Sequence, residues 1–172
     1  MPILCLFAAS QSLAGTAEAE ASLHRLKQLI GDRLLVMPDV AAYKWSHDRP
    51  IEDLEREAQI LSGLATKAEQ YGIPAEQAAA FFRAQFAAAK EIQQQLFDDW
   101  QAEGRGPFDA PPDLVSDLRP RLSALTDPIL QELAATAPYW GSDQARRILT
   151  SPDPRWAEQP DVWSIAIGPI TQ

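Results

Sequence analysis

Apolar positions recur at helical spacing over most of the chain. From about Ala17 towards Val36, residues Leu23, Leu26, Leu29, Ile30 and Leu34 fall on one stripe and predict a first helix. Pro38 then forces a kink or break. The pattern resumes from about Asp39, a candidate N-cap, through Tyr43 and Trp45. Pro50 suits the first position of a new helix, with Asp48 as a nearby cap, and that helix should run to about Gln70. Tyr71-Gly72-Ile73-Pro74 is a stop-and-restart signal. A third long helix, rich in Ala and Gln, follows from Ala75 to about Trp100. The stretch from Gly104-Arg105-Gly106-Pro107 to Pro111-Pro112 reads as a loop. Helical pieces are expected again from about Asp113 to Thr136, divided by Pro120 and Pro128, and from Gly141 to Leu149. The tail carries Pro152, Pro154, Pro160 and Pro169 and reads as irregular, packed by Trp156, Trp163 and Ile165. No convincing alternation of strand type appears, so the pattern predicts an all-α, single-domain helical bundle.

Composition narrows the field. The chain has 172 residues, enough for one core without covalent staples. Its 46% hydrophobic and 23% charged residues are ordinary for a globular domain. A net charge of -9 argues against a nucleic-acid partner, so an anionic ligand would need cations gathered locally. No apolar run approaches the roughly 18 residues of a membrane span. The lone cysteine, Cys5, allows no intrachain disulfide and suits a small hydrophobe. It sits in Pro2-Ile3-Leu4-Cys5-Leu6-Phe7-Ala8-Ala9, followed by small residues up to Ala21. That stretch resembles the apolar core and cleavage zone of an export signal without its basic start. Residues 1–16 are therefore read as a signal remnant or apolar N-terminus, and residues 17–172 as the folded domain.

The charges between Arg33 and Arg56 stand out. Arg33 and Lys44 are eleven residues apart, about three helical turns, and could share a face. Lys44 lies inside Val40-Ala41-Ala42-Tyr43-Lys44-Trp45, and Asp53 lies three residues before Arg56. A charge among apolar residues should be paired or used, because burying it alone costs at least several kcal/mol, of order. Most helical cations are solvated or make surface ion pairs worth under about 1 kcal/mol, and Arg25, Lys27, Lys67, Arg146 and Arg147 are assigned to that class. Nucleophilic catalysis finds no support: His24 and His47 suit structural roles, and no GxSxG elbow is present. No HExxH or CxxC spacing suggests a metal, and the glycines are scattered singly. Hydrogen bonding and charge are the chemistry available.

These residues carry a family resemblance. Val40-Ala41-Ala42-Tyr43-Lys44-Trp45, then Pro50-Ile51-Glu52-Asp53 and Arg56, is similar to the first catalytic stretch of all-helical chorismate mutases, most of all the secreted (gamma) subclass. The Arg33-to-Lys44 spacing agrees, as does Gln93 in Lys90-Glu91-Ile92-Gln93. Leu118-Arg119-Pro120-Arg121-Leu122 resembles the stretch that supplies a later arginine. The match covers roughly residues 17–150.

The resemblance implies rearrangement of chorismate, a dicarboxylate, to prephenate, with no cofactor and no metal. It implies that Arg33, Arg56 and Arg119 clamp carboxylates, that Lys44 and Gln93 donate to the ether oxygen, and that Asp53 and Glu57 orient the ring hydroxyl. Arg119 is preferred over Arg121, which suits the surface. The resemblance further implies a homodimer with each pocket inside one chain, and a periplasmic or secreted location, with a cytoplasmic one as the alternative. Ala89 departs from the family pattern, because relatives often carry a hydroxyl there. Two other readings compete: an isochorismate-pyruvate lyase on the same fold, and a non-catalytic helical binding protein.

Overall fold

The computed structural model describes residues 5–171, with side chains from residue 15 onward. The stretch read as a signal remnant, Cys5 included, thus lies almost wholly outside the described side chains. The helices are α1 (Cys5–Leu34), α2 (Met37–Ser46), α3 (Leu54–Gln70), α4 (Ala75–Ala102), α5 (Arg119–Ala124), α6 (Thr126–Thr136), α7 (Asp143–Thr150) and α8 (Pro160–Ile167). A π-helical turn, Leu114–Leu118, leads into α5. No strand occurs among the described residues, and the expected all-α bundle is what forms.

The α1 stripe behaves as its spacing requires: Leu23, Leu26, Ile30 and Leu34 are buried. They face α6 and α7. Helix α4 runs through the middle, packed by α2, α3 and α8. Its buried face combines Phe81, Phe82, Phe86 and Ile92 with small Ala78, Ala88 and Ala89, which let neighbouring helices approach. Between α3 and α4 the chain reverses as its glycine predicts. Gly72 takes φ +73, and the Gly72 and Ile73 amides donate to the Glu69 and Ala68 carbonyls, capping the end of α3.

Four helix starts differ from the sequence expectation. Helix α1 begins at Cys5, not at about Ala17. Helix α2 begins at Met37 after an N-cap at Val36, not at Asp39. Pro38 explains both sides of this break. Its ring clashes with a helical carbonyl four residues back, at Leu34, and its missing N–H costs nothing in a first turn. Asp39 is free of capping and pairs with Arg121 instead, at 3.2 Å. Helix α3 starts at Leu54, not at Pro50. Asp53 is its cap, accepting the Arg56 amide at 3.0 Å, while Asp48 takes a positive φ of 51 in the turn before. In the tail, Pro160 opens α8, and the stretch expected to be irregular is helical. Trp156 and Trp163 are buried as expected, but Ile165 is 38% exposed and packs nothing of note.

The tail is fastened to the helices by single bonds from buried groups. Trp163 Nε1 donates to the Leu149 carbonyl at 2.7 Å, and Gln85 Nε2 to the Ala166 carbonyl at 2.8 Å. Trp156 Nε1 reaches the Gly31 carbonyl at 3.2 Å. Arg155 spans Asp153 (2.8 Å), Asp32 (2.5 Å) and the Gln28 carbonyl (3.3 Å). These contacts clasp the last turns of α1, and Gly31 leaves the room for them. A Cβ there would lie 2.8 Å from Arg155 Nη2 and 3.0 Å from Asp153 Oδ2. Gly31→Ala gains up to ~1 kcal/mol of helix propensity but costs roughly 1–3 kcal/mol in overpacking. The expected outcome is a net loss of about 1 kcal/mol, read from urea unfolding; a gain in stability would mean that the clasp is not tightly fitted.

Candidate active site

One cavity of about 160 Å³ collects most of the charged residues singled out in the sequence. Its wall is assembled from six parts of the chain. Arg33 comes from the last turn of α1. Met37, Val40 and Lys44 line it from α2, and Ile51 and Asp53 from the segment between α2 and α3. Arg56, Glu57 and Ile60 come from the first turns of α3. Phe82, Phe86, Ala89, Lys90 and Gln93 form a single stripe of α4. Leu114, Arg119, Leu122, Ser123 and Thr126 close the far side.

Arg33 and Lys44 do not share a helix face, as their spacing suggested, because the chain breaks between α1 and α2. They reach the same hollow from two helices. Arg33 is only 7% exposed. No carboxylate pairs with it among the described residues, and its Nε has no hydrogen-bond partner. The Phe82 and Phe86 rings each lie 5.9 Å from its guanidinium carbon. That is within cation–π range but supplies no counter-charge. Burial pushes its pKa down to about 10.

Lys44 is also buried, and its Nζ donates to the Ile51 carbonyl at 2.5 Å. An ammonium carries three donors, so two remain for a ligand. Burial lowers its pKa, and the nearby charges of Asp53 and Glu57 partly oppose that fall. Arg56 is half-buried, and its guanidinium donates to Gln59 Oε1 at 3.3 Å. Arg119 lines the cavity 3.6 Å from Asp53. Arg121 is absent from the wall; it pairs with Asp39 at 3.2 Å and Asp117 at 3.9 Å on the surface. Asp53 thus has two tasks, capping α3 and pairing with Arg119.

Gln93 is buried with its amide turned back on its own helix. Its Nε2 donates to the Ala89 carbonyl at 2.9 Å and lies 3.9 Å from Met37 Sδ, while Oε1 has no partner. The donor expected to face a ligand is therefore engaged, and offering it requires rotation of the side-chain amide. Ala89 presents only its methyl group to the cavity, with no hydroxyl. The sequence reading missed Lys90, whose Nζ lies 3.2 Å from Glu57 and 3.3 Å from Glu52. The signal was present: Phe82, Phe86, Lys90 and Gln93 are spaced by four, four and three residues along one face of α4. The arrangement favours a compact ligand with more than one negative charge and several hydrogen-bond acceptors.

Comparison with known proteins agrees with this geometry. Residues 24–94 match the family model described as chorismate mutase type II. A secreted chorismate mutase of Yersinia pestis is 33% identical over 106 residues, which are 62% of this chain and 56% of that protein. A monofunctional chorismate mutase of Enterobacter agglomerans is 37% identical over 95 residues, 55% of this chain and 52% of that one. The chain thus spans about half the length of these curated relatives. The crystal structure of chorismate mutase from Burkholderia phymatum superposes with a TM-score of 0.80 at 30% identity, covering 90% of this chain and 98% of that one. Shared helices over nearly all of a solved relative, with most of the cavity wall on the matched segment, lead to one conclusion: the chain belongs to the chorismate mutase family.

Proposed function

We propose that the protein converts chorismate to prephenate, and that the cavity described above is where it does so. The observation that carries this reading is Arg33, a buried guanidinium without a counter-charge, facing the same hollow as Lys44, Arg56 and Arg119. A site that keeps an unneutralised cation out of water is matched to a ligand that brings the missing negative charge. Chorismate is a dianion, and its rearrangement is intramolecular: the ether C–O bond breaks as a C–C bond forms. Such a reaction asks for a fixed conformer and for donors placed where charge grows on the ether oxygen.

In this reading Arg33, Arg56 and Arg119 hold the two carboxylates by charge-assisted bonds. Lys44 donates to the ether oxygen with an N–H that Ile51 leaves free. Gln93 adds a second donor once its amide turns from the Ala89 carbonyl. Asp53 and Glu57 accept from the ring hydroxyl. The apolar part of the wall, from Val40, Ile51, Ile60, Phe82 and Phe86, excludes water and so strengthens these bonds. We also read the protein as exported, by the signal-like N-terminus and its similarity to relatives named as secreted. We read it as a homodimer with a complete pocket in each chain.

The direct test is loss of chorismate absorbance by the purified protein, with prephenate identified as product; accumulation of another product would overturn the assignment. Lys44→Ala should lower kcat/KM by about a hundredfold or more while circular dichroism is unchanged. Gln93→Glu should move the activity towards acid, because a carboxyl donates only when protonated whereas an amide donates at any pH. An unaltered pH profile would remove Gln93 from the mechanism. Arg33→Met should abolish activity yet stabilise the fold by on the order of 1–3 kcal/mol, since an apolar chain of similar length ends the burial of a lone charge. Because burial lowers the Arg33 pKa to about 10, the unfolded chain holds more protons above that pH. Wild-type stability should therefore gain an increment as pH rises above about 10, and Arg33→Met should lack it in denaturant titrations.

A further inference from the structure

Two carboxylates, Asp53 and Glu57, line a cavity read here as the site of a dianion, and each has a cation set against it. Asp53 faces Arg119 at 3.6 Å. Glu57 Oε1 lies 3.2 Å from Lys90 Nζ, and the same ammonium reaches Glu52 at 3.3 Å. Lys90 comes from α4, Glu57 from α3, so the bond joins two helices across the rim. The Glu57 and Lys90 side chains are 24% and 31% exposed, against 59% for Glu52. Solvent therefore screens the Lys90–Glu57 pair less than the Lys90–Glu52 pair. Burial works against the Lys90 charge, but hydrogen bonds to Glu57 and Glu52 outweigh it and raise the pKa, so the group stays an ammonium. Lys44 lies close enough to feel both members of the pair, Glu57 favouring its charge and Lys90 opposing it. Glu57 thus sits among two ammonium groups, one of which is needed by the ligand.

We propose that Lys90 is a positioning residue for dianion binding: it holds and neutralises Glu57, so that this carboxylate neither repels the ligand nor draws Lys44 off the Ile51 carbonyl. Without Lys90, an anionic side chain would face an incoming dianion in a cavity walled largely by apolar groups, where like charges interact strongly. The inference rests on the reading of the cavity given above. It assigns Lys90 an effect through Glu57 and no contact with the reacting atoms.

The experiment compares Lys90→Met and Lys90→Arg by steady-state kinetics on chorismate, each made also with Glu57→Gln. Lys90→Met should raise KM on the order of tenfold with a smaller change in kcat, and Lys90→Arg should retain most of the wild-type KM. With Gln at position 57 the anionic side chain that lines the cavity is gone, and Glu52, the other partner of Lys90, stands outside the lining, so the Lys90→Met effect should shrink to about twofold or less. Raising the ionic strength should also lessen the Lys90→Met defect, because the rim is partly exposed. An unchanged KM for Lys90→Met, a lowered unfolding midpoint without a KM effect, an equal rise in both backgrounds, or a salt-independent defect each overturns the proposal. If the wild-type protein converts no chorismate, the reading of the cavity fails and takes this inference with it. If the wild type is active and Lys90→Met binds normally, only the inference fails.

Discussion

The guanidinium of Arg33 is withdrawn from water with no carboxylate paired to it among the described residues, and the arrangement of the cavity depends on that. A buried, unpaired cation ordinarily costs several kcal/mol, of order, even after relaxation. The faces of Phe82 and Phe86 lie against it, and its Nε has no hydrogen-bond partner among the described residues. A carboxylate placed next to it would lower that cost and also occupy the site. Acids are present, but they stand elsewhere with partners of their own: Asp53 with Arg119, Glu57 and Glu52 with Lys90. The positive potential at the cavity's buried end therefore survives in a chain whose net charge is -9.

Holding that potential in place is the work of helix ends rather than of long helices. Pro38 ends α1 at Leu34, one residue after Arg33, and sits in the first turn of α2 from Met37, which brings Arg33 and Lys44 to one hollow from two directions. The segment before α3 gives up helical form. That leaves the Ile51 carbonyl free to take the Lys44 ammonium. Asp53 then closes the segment as a cap. Below α1, the clasp of Arg155 and Trp156 on Gly31 and Asp32 fixes the turn from which Arg33 projects. Local stops thus decide where the cations point, and the packed stripe of α4 supplies the opposite wall.

Reading the chain by pattern succeeded where one local rule acted alone. The Leu23, Leu26, Ile30, Leu34 stripe is buried, Gly72 turns the chain, and Pro120 and Pro128 fall where helices divide. It failed where two local signals competed. Asp39 and Pro38 both mark a helix start, and the proline decided because its ring is incompatible with the preceding helix. Pro50 and Asp53 both mark one, and Asp53 decided because its carboxylate satisfies an N–H that Pro50 cannot. The four tail prolines read as irregular structure in the pattern, yet Pro160 stands in a first helical turn, where proline fits. Lys90 escaped notice because a lysine three residues before Gln93 looks like any solvated lysine until α3 is placed beside it.

Helical class, the core stripe, the turn at Gly72 and the set of cations among apolar residues were determined by the sequence itself. Each depends on spacing or on the conformational limits of a single residue, and those act within a few positions along the chain. The tertiary structure alone decided that Arg33 has no counter-charge among the described residues, that Lys44 is tethered to Ile51, and that Gln93 turns its amide inward on α4. Those outcomes depend on which distant groups come within a few ångströms. Burial, charge pairing and hydrogen bonding act through space between segments that the linear order keeps far apart.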